Sequence, residues 1–133
     1  MDPNPDFKLI MLIDDNDSEL YISNRLLNKH GSGKKVITFS MGTDALAYLK
    51  NCTSDNDIPD IILCDIHMPL MNGFQFVEEF GKLPDNIRTK SKVFMISSTF
   101  NTADIERSNT NPFVVKFYEK PLNMDKINSI LSA

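Results

Sequence analysis

Cysteine is scarce, and several other features are missing altogether. The two cysteines, Cys52 and Cys64, are too few for a disulfide framework. Cys64 lies inside an apolar run and reads as a buried small hydrophobe. A reducing, cytoplasmic setting is therefore expected. No apolar run approaches the roughly 18 residues needed to cross a bilayer, so no membrane partner is expected. There is no basic stripe of the kind nucleic-acid binding requires. Lys34-Lys35 is too short to count, and the net charge is −4 with a pI near 5.0. The start, Met1-Asp2-Pro3-Asn4-Pro5-Asp6, is acidic and proline-rich, the reverse of a signal peptide. No repeat, linker or low-complexity tract is visible. What is present is 133 residues, 41% hydrophobic and 24% charged. That composition fits one soluble globular domain over residues 1–133, with its core at about 7–131.

Strand and helix patterns alternate along the chain. Phe7 to Ile13 is a nearly continuous apolar run, the pattern of a strand buried on both faces. Ser18 to Lys29 reads as a helix, with Asn16 as cap and Glu19 as its capping-box partner. Leu20, Leu27 and the pair Ile22/Leu26 supply helical spacing, and Gly31 is placed to end the helix. Lys35 to Phe39 suits a second strand. Thr43 to Lys50 suits a helix with Ala45, Leu46 and Leu49 inward. Ile61 to Cys64 forms a strand after Pro59, and Phe74 to Gly81 a helix. Val93 to Ile96, a polar helix at Thr102 to Ser108 anchored by Ala103 and Ile105, Val114 to Tyr118, and Met124 to Leu131 complete the series. Asn51 to Asp57 and Pro84 to Ser91 read as surface loops. The order is (βα)5, which predicts a doubly wound α/β sandwich with a five-stranded parallel sheet. In such sheets ligands bind beyond the carboxyl ends of the strands, at a topological switch point.

The polar residues that follow these strands carry the chemistry. Asp14-Asp15 follow the first strand, Asp65 the third, Ser97 the fourth and Lys120 the fifth. Taken singly, each has a plain explanation. The acidic pair suits a solvated turn, and Asp65 a turn former. Ser97 suits a strand-end cap, with Ser98 and Thr99 as competitors, and Lys120 a surface lysine. Taken together, they would converge at one sheet edge. Three carboxylates in one place either take up protons or bind a cation. Hard oxygen donors select Mg²⁺ or a similar ion.

The fragments Ile13-Asp14-Asp15-Asn16, Leu63-Cys64-Asp65-Ile66-His67-Met68-Pro69, Met71-Asn72-Gly73, Met95-Ile96-Ser97-Ser98 and Lys120-Pro121 resemble the receiver domain of bacterial two-component response regulators. That is the family of the chemotaxis response regulator, and the resemblance runs from about Phe7 to Leu131. It implies the flavodoxin-like strand order 2-1-3-4-5. It also implies an aspartyl phosphate on Asp65, taken from a sensor histidine kinase or a histidine phosphotransfer protein. Asp14, Asp15, Asp65 and the backbone carbonyl of His67 would hold Mg²⁺ (or Mn²⁺), with Asp14 acting through water. Ser97 would contact the phosphoryl group. Lys120 would pair first with Asp65 and later with the phosphoryl oxygens. A cis Lys120-Pro121 bond is implied as well.

The resemblance further implies that Phe117, three residues before Lys120, is the rotating aromatic of the switch. Phe117 could equally be core on an apolar strand. His67, two residues past Asp65, borders the water path in relatives, so it could tune hydrolysis of the acyl phosphate. Such a domain catalyses only its own phosphorylation and dephosphorylation, and signals through protein contacts in a phosphorelay. The reading is of a stand-alone receiver, though an excised piece of a larger regulator is also consistent. Two rivals are a non-phosphorylated pseudo-receiver scaffold and a Mg²⁺-dependent phosphohydrolase. The intact acidic pair, Asp65 and Lys120 speak against the first. Against the second, His67 stands where such an enzyme places a carboxylate.

Overall fold

The computed structural model describes residues 8–30, 34–98 and 101–133. Five strands run parallel in the order β2-β1-β3-β4-β5. They are β1 (Lys8–Ile13), β2 (Lys34–Phe39), β3 (Ile61–Asp65), β4 (Lys92–Ser97) and β5 (Val114–Glu119). The helices are α1 (Asp17–Lys29), α2 (Gly42–Lys50), α3 (Gly73–Phe80), α4 (Asp85–Lys90), α5 (Thr102–Thr110) and α6 (Met124–Ser132). The expected strand order is therefore the observed one.

Alternation along the central strands divides the core into two layers. Met11, Ile13, Ile62, Cys64 and Met95 face α2 and α3, where Leu46, Leu49, Phe76, Val77 and Phe80 meet them. Ile10, Leu12, Leu63, Phe94 and Ile96 face the other way, against Leu27 of α1 and Ile127 and Ile130 of α6. A strand buried on both sides has no polar face to spare, which is why β1 and β3 read as unbroken apolar runs. Ala45, Leu46 and Leu49 are inward as expected.

Several expectations change in detail. Pro84 to Ser91 is not a loop: it contains α4, whose Ile87 is buried alongside Leu83. One short amphipathic turn offers only that single pair of apolar residues, and Pro84 is tolerated because it stands at the helix start. Ile22 on α1 is 47% exposed rather than inward. Asn16 caps α1 by accepting from the Glu19 backbone N–H. The reciprocal capping box forms instead at α3, between Asn72 and Gln75. On α5, Ala103 is exposed, and the inward residues are Ile105 and the buried Ser108. Phe7, Gly31, Thr99 and the first six residues lie outside the described residues.

Candidate functional site

Parallel pairing brings the carboxyl ends of the strands level with one another. β1 pairs with β2 on one side and with β3 on the other. Asp65 is opposite Ile96, and Ser97 is opposite Glu119. The Lys120 backbone N–H donates to the Ser97 carbonyl at 2.8 Å, and the Ile66 N–H to the Ile96 carbonyl at 3.0 Å. Asp14, Asp65, Ser97 and Lys120 thus all lie on one edge. The Lys120-Pro121 bond is cis, as the resemblance implied.

Asp14, Asp15 and Asp65 each offer a carboxylate oxygen, and these three oxygens lie within 4.8 Å of one another. Asp14 and Asp65 are buried and Asp15 is exposed. The Asp14 Oδ1 accepts from the Asn16 backbone N–H at 3.0 Å, which orients its carboxylate. Lys120 Nζ contacts Asp14 Oδ2 at 2.6 Å and Asp65 Oδ1 at 3.5 Å. Its tighter partner is Asp14, where the family pattern implied Asp65.

Burial is the main reason the Asp65 carboxyl is pushed up to about 6. Lys120 opposes the shift, while Asp14 and Asp15 add to it. For Lys120, burial alone would lower the pKa. The hydrogen bond to Asp14 and the charges of Asp65 and Asp14 outweigh it, so the net direction is upward. An anionic cluster with one ammonium remains short of positive charge. That donor set fits a hard divalent cation.

The loop after β3 is tightly built. A Cβ on Gly73 would fall 2.6 Å from the Asp65 carbonyl oxygen and 2.9 Å from Ile66 Cα, so only glycine lets α3 start so close to the end of β3. Leu70 takes a φ of 68° with its side chain 84% exposed. A leucine is strained in that left-handed conformation. The His67 side chain turns toward α5, its Nε2 3.2 Å from Asp104 Oδ2. Phe117 is half-buried beside the α2/α3 layer, opposite Met95. Its backbone N–H donates to Asn109 Oδ1 of α5 at 3.4 Å. Ser97 is buried. Sequence reasoning missed Asp104 and Asn109. Nothing in a polar helix distinguishes an inward acid from a solvated one until the helix is docked.

The sequence profile of the response regulator receiver domain matches residues 10–132. Hybrid signal transduction histidine kinase D of Dictyostelium discoideum is 32% identical over 92% of this chain, which spans only 8% of that kinase. Protein PilH of Pseudomonas aeruginosa is 26% identical, with 92% of this chain and 97% of PilH covered. A response regulator receiver protein from Dyadobacter fermentans superimposes with a TM-score of 0.82 at 35% identity, covering 93% of this chain and 94% of that one. The Mn²⁺-bound form of response regulator Rcp1 shares the fold, with a TM-score of 0.73 at 23% identity over 94% of this chain and 90% of its own. With the strand order and the clustered acids, these likenesses leave one assignment: the chain belongs to the response regulator receiver domain family of two-component signalling.

Proposed function

We propose that Asp65 accepts a phosphoryl group from a phosphohistidine on a sensor histidine kinase or a histidine phosphotransfer protein. The observation that carries this is the burial of Asp65 at the end of β3, with Asp14 and Asp15 oxygens within 4.8 Å and Lys120 Nζ at 3.5 Å. In the transfer, a lone pair of an Asp65 carboxylate oxygen forms the new P–O bond. The P–N bond breaks, and its electron pair stays on the departing imidazole. A carboxylate is a competent nucleophile for this chemistry, and positioning with charge neutralisation supplies most of the catalysis.

Asp14, Asp15, Asp65 and the His67 backbone carbonyl would hold Mg²⁺ or Mn²⁺, which when bound neutralises charge on the phosphoryl oxygens. Lys120 supplies a second positive charge. Its separation from Asp65 leaves it free to turn from Asp14 to the new phosphoryl oxygens. The Ser97 hydroxyl contacts the phosphoryl group, and Phe117 moves into the space that Ser97 vacates. The domain turns over no outside substrate and acts through protein contacts. Exposed apolar side chains on the elements that follow β1 and β3, Tyr21 and Ile22 on α1 and Leu70 in the loop after β3, suit docking of the donor protein. No helix among the described residues is long and apolar enough to cross a membrane, and a cytoplasmic site of action is part of this reading.

The scaffold and phosphohydrolase readings gain no support. Asp65 and Lys120 are both in place, and His67 faces Asp104 rather than offering an acid. The test is to incubate the protein with Mg²⁺ and acetyl phosphate and weigh it intact. A single added phosphoryl, absent in Asp65→Asn, is the expected result. No adduct would favour the scaffold, and steady turnover of added phosphoesters the hydrolase.

A further inference from the structure

Helix α5 has little apolar attachment. Of its nine residues only Ser108 is buried, with Asp104 and Ile105 half-buried. Its polar contacts therefore account for much of its docking, and two of them reach the same neighbour. Asp104 Oδ2 lies 3.2 Å from His67 Nε2, and the Arg107 guanidinium sits 4.1 Å from the centre of the Phe74 ring. Asp104 and Arg107 are one turn apart and share a face of the helix. His67 is two residues beyond Asp65, and Phe74 follows Gly73 at the start of α3. Both attachments thus end on the segment that carries Asp65.

The Asp104 oxygen is buried and makes no hydrogen bond of good geometry. The His67 ring nitrogen is the polar group set against it, and a buried acceptor left alone is costly. On its other side α5 holds the Phe117 backbone N–H through Asn109.

We propose that Asp104 is a positioning residue that acts through His67. Together with Arg107 on Phe74, it latches α5 to the phosphoacceptor loop and holds the domain in its resting arrangement. The proposal rests on the reading of Asp65 as phosphoacceptor. It goes beyond that reading by assigning the restraint on α5 to a named pair of side chains. A contact present in one of two states biases their equilibrium by its differential strength. By reciprocity, weakening the latch must tighten binding of any ligand that favours the switched state.

The experiment compares wild type, His67→Ala, Asp104→Ala and the double variant, with Asp104→Asn in reserve for folding and Asp104→Glu as the charge-retaining control. Amide hydrogen exchange of α5 in the unphosphorylated proteins reads the latch directly. Each single variant is expected to raise exchange by about two- to fivefold, the range for a weak ion pair. The double variant is expected to exceed neither, and Asp104→Glu to stay near wild type. Titration with Mg²⁺ and beryllium trifluoride, an acyl-phosphate mimic, is expected to show tighter binding in Asp104→Ala by a similar factor. A purely structural loss would not tighten that binding. Unchanged α5 exchange, additive single effects, or weaker mimic binding would overturn the proposal. If wild type binds no mimic and takes no phosphoryl group, the phosphoacceptor reading fails, while the exchange data still decide the latch.

Discussion

Lys120 Nζ lies 2.6 Å from Asp14 Oδ2 and 3.5 Å from Asp65 Oδ1. The ammonium is bound most tightly to the carboxylate that is not the proposed phosphoacceptor. Asp65 is left with incomplete compensation, and its burial, with the charges of Asp14 and Asp15 adding to it, pushes its carboxyl up to about 6.

A raised carboxyl pKa means that the native state holds this proton more tightly than the unfolded chain does. Metal-free stability from this group is therefore full below about pH 4, falls as the pH rises to about 6, and is flat beyond. A shift of that size corresponds to at most about 3 kcal/mol, and solvent screening at this sheet edge reduces it. Metal-free Asp65→Asn is expected to be more stable than wild type by about 2 kcal/mol at neutral to mildly alkaline pH. The two should converge near pH 4. Urea melts across pH check this, and a constant difference would contradict it.

The same linkage governs the metal. Protonated Asp65 is a poor ligand, so Mg²⁺ should raise the melting temperature more at pH 8 than at pH 5. Thermal melts with and without Mg²⁺ read this. The Asp65→Asn protein should show little of the pH dependence.

Truncating Lys120 to Ala leaves Asp14 and Asp65 buried without their cation. Breaking a buried pair in this way costs about 3 kcal/mol, and the Asp65 pKa should rise further. Carboxyl NMR titration follows the second effect and denaturant melts the first. Mg²⁺ is expected to recover part of the lost stability, because the remaining carboxylates bind it without competition from the ammonium.

Gly73→Ala would add a Cβ 2.6 Å from the Asp65 carbonyl oxygen and 2.9 Å from Ile66 Cα. Alanine's helix advantage over glycine, about 1 kcal/mol, cannot offset a clash with backbone. A net loss of about 1–3 kcal/mol is expected. Phosphorylation by acetyl phosphate should slow as the β3 end shifts. Equal stability and rate would show that the loop yields easily.

Leu70 offers the opposite case. Its side chain is 84% exposed and its φ is 68°, so little packing is lost when it is replaced. Asparagine tolerates the left-handed region, and Leu70→Asn should stabilise the fold by about 0.5–1 kcal/mol. A chemical denaturation midpoint decides this. If the variant gains stability but takes phosphoryl groups more slowly from its kinase than from acetyl phosphate, the leucine serves donor docking.

The sequence by itself determined the parallel α/β architecture and the identity of the clustered acids, while the strand order came from the family resemblance and is the one observed. Continuous apolar runs such as Ile61 to Cys64 require burial on both faces, which only a covered parallel sheet supplies. Asp14, Asp65 and Ser97 directly follow or end such a run, and Lys120 follows the more exposed edge strand β5, so their convergence follows from parallel strand pairing. Tertiary structure decided what depends on docking across elements. It set the preference of Lys120 for Asp14, turned Asp104 and Arg107 toward the segment that carries Asp65, exposed Ile22, and folded Asp85 to Lys90 into α4. Those outcomes rest on distances between residues far apart in the chain, and on helices too short or too polar for a periodic signal to define.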